Sequence, residues 1–194
     1  MKANGWRAFD PQKVAYLEKE NWVAYYNKNW LRLLNVSVGM VREAFGLSRV
    51  QAVYGAYLVA RAEMAAAPFP VNDIPRAEAY MRRFYQFIRD AHHEPIDVPR
   101  VAKLEVNWWV AHRQYFGADE HSQVADALTA LYAAAYRVPP ERVRQAAMHR
   151  AQAMVYSDRW VNAGRSLPSP LLQQEEQELL LSYSALRQAI QIPA

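Results

Sequence analysis

Apolar side chains recur along this chain at intervals of three and four residues, the period of an amphipathic α-helix. The first stripe follows Asp10–Pro11, where aspartate is a favoured helix cap and proline at the first helical position loses no hydrogen bond. The pattern predicts one long helix, or two helices with a break near residues 35–39. The stripe consists of Val23, Tyr26, Trp30, Leu33, Leu34, Val41 and Phe45.

Caps and prolines divide the rest of the first half. Ser48 is predicted to cap a second helix, and the proline-rich connector 68–75 leads into a third. That third helix is expected to close at His92–Pro95, because proline prevents its continuation.

The second half repeats these signals. Asp97 leads into a helix that breaks at residues 117–119, and a second helix is predicted from about Glu120 to Tyr136. Residues 138–141 start a third helix that runs to about residue 163. After the loop 164–170, Pro170 begins the last helix. No segment shows the alternation of a β-strand.

The two halves of the chain resemble each other in sequence. Residues 13–25 laid over residues 100–112, an offset of 87, agree at seven of thirteen positions. Arg61 and Arg150 correspond further along, as do the turns at 45–50 and 136–143. We therefore predict an all-α bundle of about six to eight helices, built by internal duplication of a three-helix unit with pseudo-two-fold symmetry. It is a single domain, 1–194, with repeats at about 10–94 and 97–192.

Composition narrows the functional classes. The chain has no cysteine, a net charge of +4, and no apolar run of the length that a membrane helix needs. Its N-terminus lacks the apolar core of a signal peptide, so we expect a cytoplasmic protein without a membrane span. Its arginines are scattered along the sequence, which disfavours a nucleic-acid-binding role.

Glu105 and His112 are seven residues apart and share one face of a predicted helix. This Glu-x6-His spacing resembles one ligand pair of the haem-oxygenase-like diiron oxidases. The resemblance implies further ligands, for which Glu63, His149 and Asp158 are candidates, and iron or manganese as cofactor. The chain departs from that family because it has no second Glu-x6-His, no Glu-x-x-His and no His-x3-Asp-x2-His. A metal- or haem-dependent oxidoreductase, with a haem-oxygenase-like or ferritin-like bundle site, is thus the alternative function.

A structural interpretation competes with the metal. Glu18 and Glu105 are equivalent in the two repeats, as are Arg61 and Arg150, and all four lie on apolar stripes. Two symmetric Glu–Arg pairs would satisfy these charges.

A third interpretation places a pocket at the pseudo-two-fold axis, because aromatic and arginine side chains are common in ligand pockets. His112 is singled out among its candidate residues, because it stands where the first repeat has Tyr25. The candidate ligand-binding residues are His112, Glu105, Trp109, Trp22, Tyr25 and Arg113. The favoured function is accordingly a module that binds a protein partner or a small ligand without catalytic machinery or cofactor, with a homodimer through an aromatic face as one arrangement. His121 is expected to be exposed.

Overall fold

A computed structural model describes residues 5–68, 70–119 and 121–191, and these residues form eight α-helices and no strand. The all-α prediction is confirmed. The helices are α1 (Pro11–Tyr26), α2 (Trp30–Phe45), α3 (Arg49–Ala66), α4 (Ile74–His92), α5 (Val98–Gln114), α6 (Ser122–Tyr136), α7 (Pro140–Asn162) and α8 (Pro170–Gln191).

Each helix packs against the next one in sequence, and α8 packs against α1, so that the contacts close into a ring. The connections between consecutive helices are short, and a short connection requires each helix to lie beside the preceding one.

Polar caps set the starts of the helices. The side chains of Asp10, Ser48, Asp73 and Asp97 accept hydrogen bonds from the first backbone N–H groups of α1, α3, α4 and α5. Asn29 caps α2 in the same way. All of these helices except α2 begin where the sequence pattern predicts.

The break in the first apolar stripe lies elsewhere than predicted. The chain turns at residues 27–29, with Lys28 at a φ of 57°, and α2 runs unbroken through residues 35–39. Each half therefore contains four helices, one more than the predicted three-helix unit. The duplication itself stays a prediction.

Three predicted boundaries involve residues that the structure does not describe: Glu120, the predicted start of the helix that ends at Tyr136, Phe69 in the connector 68–75, and residue 192, the predicted end of the second repeat. Within the described ranges, no helix combines the length and apolar character that crossing a membrane requires.

Candidate functional site

A buried ionic network joins five helices around Arg150 on α7. The guanidinium donates two hydrogen bonds to Oε1 of Glu18 on α1, at 3.1 and 2.8 Å, and a third to the hydroxyl of Tyr132 at 3.1 Å. Tyr183 donates its hydroxyl hydrogen to the other oxygen of Glu18, and Arg150 lies 4.8 Å above the ring of Trp108. Burial by itself would lower the pKa of Arg150, but Glu18 holds it well above its usual value. The network therefore pairs the buried charges of Arg150 and Glu18 with each other and with hydrogen-bond partners.

Of the two predicted Glu–Arg pairs, one forms, between Glu18 and Arg150. Arg150 binds Glu18, whereas Glu105 accepts hydrogen bonds from Tyr85 and from Nε1 of Trp108. Arg61 points outward and donates to the hydroxyl of Tyr57 at 3.1 Å. Glu18 and Arg150 meet because α1 and α7 both pack against α8.

His112, His121 and Asp158 form a second buried cluster, and each offers a ligand atom within 4.8 Å of the other two. Nε2 of His112 on α5 lies 3.1 Å from Oδ1 of Asp158 on α7. Nε2 of His121 lies 3.7 Å from Oδ2 of the same carboxylate. This arrangement of two imidazoles and one carboxylate is suited to a metal ion.

The loop between α5 and α6 closes over this cluster. The backbone N–H of Gly117 donates to Oδ2 of Asp158 at 2.9 Å, and Nε2 of His121 lies 3.0 Å from the carbonyl oxygen of Tyr115. Burial lowers the pKa of His121, which favours its neutral form, although Asp158 opposes the shift. The expectation that His121 is exposed is wrong because this loop folds it inward, to 4% exposure.

The remaining predicted metal ligands lie outside this cluster. Nδ1 of His149 is 2.7 Å from a carboxylate oxygen of Glu178, and Glu105 is engaged by Tyr85 and Trp108. Glu63 on α3 is also outside the cluster. Of the five predicted metal ligands, the cluster therefore contains His112 and Asp158, and its third member is His121.

The predicted pocket residues only partly converge. Trp22 packs edge-on against His112, with ring centroids 5.9 Å apart, and Tyr26 stacks on Trp22. Trp109 packs against Trp108, while Tyr25 and Arg113 are exposed. A surface pocket of about 320 Å³ lies between α1, α2 and the start of α8, and of these candidates none lines it.

Glu175 on α8 is a buried carboxyl group that the sequence analysis missed. It is 0% exposed, and neither oxygen has a hydrogen-bond partner among the described residues. Burial, followed by the Glu18 carboxylate, raises its pKa well above the usual value, and Asp158 raises it further. Its apolar flanks, Leu172 and Leu179, were the only signal that this position faces the core.

The outer face of α3 carries an exposed apolar stripe. Val50, Val53, Tyr57 and Met64 are 82%, 52%, 49% and 69% exposed, and Ala60 is exposed between them. Their spacing alternates between three and four residues, as in the seam of a coiled coil. No other described helix covers this face.

Comparisons with known proteins add no further information: no protein-family model, no curated protein and no solved structure matches this chain.

Proposed function

We propose that this protein is a helix-binding module that acts as a homodimer, in which α3 of one copy packs against α3 of the other. The observation that supports it is the exposed stripe at positions 50, 53, 57, 60 and 64 of α3. A surface helix normally turns its apolar face to the core and its polar face to water. On α3 both faces are apolar, so a second surface for burial is expected.

The area of the stripe is adequate for a modest interface. The exposed fractions of its four large side chains and of Tyr54 amount to surface on the order of 600 Å² per copy, at the upper end of patches on monomers. Stable interfaces need about 800 Å² per partner, which flanking polar residues such as Arg49 and Arg61 can complete. We therefore expect a dimer of moderate affinity.

The order of side chains in the stripe favours an antiparallel pair. With the two-fold axis beside Tyr57, Val50 faces Met64 of the partner subunit and Val53 faces Ala60 of the partner subunit. The Val50–Met64 and Val53–Ala60 contacts then each combine a larger with a smaller side chain, only the two copies of Tyr57 meet at the axis, and the helix dipoles run in opposite directions. A parallel pair would instead place alanine against alanine and leave a gap.

Single-cysteine variants test this register directly, because the chain has no cysteine of its own. Tyr57→Cys, next to the axis, is expected to form a disulfide-linked dimer under mild oxidation. Val50→Cys alone is expected to remain uncrosslinked and to crosslink only when mixed with Met64→Cys. Efficient crosslinking of Val50→Cys with itself would contradict the antiparallel arrangement.

Mass measurements in solution test the dimer itself. Sedimentation equilibrium should give the dimer mass for the wild type and the monomer mass for Val53→Arg, with unchanged helical circular dichroism. Leu181→Arg, at an exposed apolar position of α8, is the matched control and should remain dimeric. A wild type that stays monomeric at high concentration would refute the proposal.

A further inference from the structure

We propose that His112, His121 and Asp158 bind a divalent first-row transition metal ion. This inference goes beyond self-association and does not depend on it. The three side chains come from α5, from the residue preceding α6, and from α7, and they converge in the interior.

The charge of the cluster argues for a cation. The Asp158 side chain is 2% exposed, and within the described part of the chain no lysine or arginine forms a salt bridge with it. Buried carboxylates are normally paired with a cation or bound to a metal, because an isolated buried charge is costly.

The two ring nitrogens of His121 differ in their surroundings. Nδ1 is buried and has no hydrogen-bond partner among the described residues, while Nε2 lies 3.0 Å from the carbonyl oxygen of Tyr115 and 3.7 Å from Oδ2 of Asp158. A histidine that binds metal through one ring nitrogen keeps its proton on the other, which usually donates to a carbonyl.

The donor set selects the class of metal. Two neutral imidazoles and one carboxylate suit zinc, iron(II), cobalt or manganese, whereas magnesium and calcium prefer oxygen ligands only. Three protein ligands also leave coordination positions open for water or a small ligand, as in catalytic rather than closed structural sites. Trp22 packs on His112 at this position and shields one side of the cluster.

Metal binding to the full chain, stripped with chelator, tests the site. We expect one ion to bind per chain. Co²⁺ binding is measured by visible absorption, and Zn²⁺ and Fe²⁺ binding by calorimetry. Mg²⁺ should not bind. His121→Ala and Asp158→Asn should each weaken Zn²⁺ binding by at least about 100-fold, more than loss of an outer-shell partner does.

His149→Ala and Glu105→Gln are the matched controls, because both residues are ligand candidates in the sequence analysis but lie outside the cluster. Both should bind Zn²⁺ as the wild type does. If they lose the ion while His121→Ala retains it, the ligand set is wrong.

Long-range ¹H–¹⁵N spectra of the histidine rings give a readout that does not depend on the folding of variants. The wild type should show the proton of His121 on Nε2 without metal and on Nδ1 with Zn²⁺. Absence of stoichiometric binding, with an imidazolium at His112 paired to Asp158, would overturn the inference.

Discussion

The Arg150 guanidinium is held by Glu18, Tyr132 and the ring of Trp108, all of them buried. Because removal of one partner leaves a buried charge without compensation, Arg150→Met should lower the free energy of unfolding by about 3–5 kcal/mol. Denaturant unfolding followed by circular dichroism measures this loss.

Arg61→Met is the natural control for that experiment. Arg61 corresponds to Arg150 in the sequence comparison, but it lies at the surface, where it contacts Tyr57 and Tyr80. Its replacement should cost less than about 1 kcal/mol. Equal losses for the two variants would show that the buried network contributes no more than a surface contact.

Glu175 makes stability depend on pH. Its pKa is raised in the folded protein, so the folded state resists ionisation of this group. Protonated Glu175 therefore contributes its full stabilisation of the folded state below the pKa of about 4.5 that this group has in the unfolded chain. That contribution is lost as the pH rises through the higher pKa of Glu175 in the folded protein.

Glu175→Gln cannot ionise, so the wild type should lose stability relative to this variant as the pH rises above about 4.5. Urea unfolding of both proteins at several pH values measures the difference. Parallel stability curves across this range would show that Glu175 ionises as easily in the folded protein as in the unfolded chain.

At the scale of elements, the close approach of α2, α3 and α4 depends on Gly55. A Cβ atom at Gly55 would lie 2.9 Å from Cγ1 of Val41 and 3.3 Å from the ring of Phe84. Gly55→Ala should therefore destabilise the protein by about 1–3 kcal/mol, in spite of the better helix propensity of alanine.

Gly39→Ala serves as the matched substitution on α2. Its Cβ would meet only a flexible side chain, Leu17, at 3.3 Å. This variant should be neutral or up to about 1 kcal/mol more stable, because alanine favours the helix. Thermal unfolding of both variants provides the comparison, and a stabilising Gly55→Ala would contradict the packing argument.

For the whole molecule, the segment before α1 joins the C-terminal ends of three helices. Trp6 stacks on Phe45 of α2 and on Tyr136 of α6, and Arg7 bridges the Tyr136 carbonyl and Glu94, which follows α4. This segment therefore closes one end of the bundle.

Trp6→Ala should cost about 3–5 kcal/mol of unfolding free energy, because Trp6 is 1% exposed and its loss leaves a large cavity. Trp6→Phe should cost clearly less, since it keeps an aromatic ring and the indole N–H has no hydrogen-bond partner among the residues that the structure describes. Thermal unfolding measures both, and equal losses would mean that the N–H rather than the ring holds this end together.

The sequence alone determined the helical class and most helix boundaries. These features are local: Ser48, Asp73 and Asp97 cap the N–H groups that follow them, and Pro95 stops α4 whatever surrounds it. The break at residues 27–29 was missed although Asn29, a favoured helix cap, precedes α2. The left-handed backbone of Lys28 has no such signal.

The partners of the buried polar groups were decided only by the tertiary structure. Spacing along a helix placed Glu105 and His112 on one face, but it cannot state which side chain of another helix lies opposite. Arg150 contacts Glu18 because α1 and α7 both pack on α8, and His121 contacts Asp158 because the α5–α6 loop folds inward. Both contacts join residues that are distant in sequence, so they follow from how the ring of helices closes.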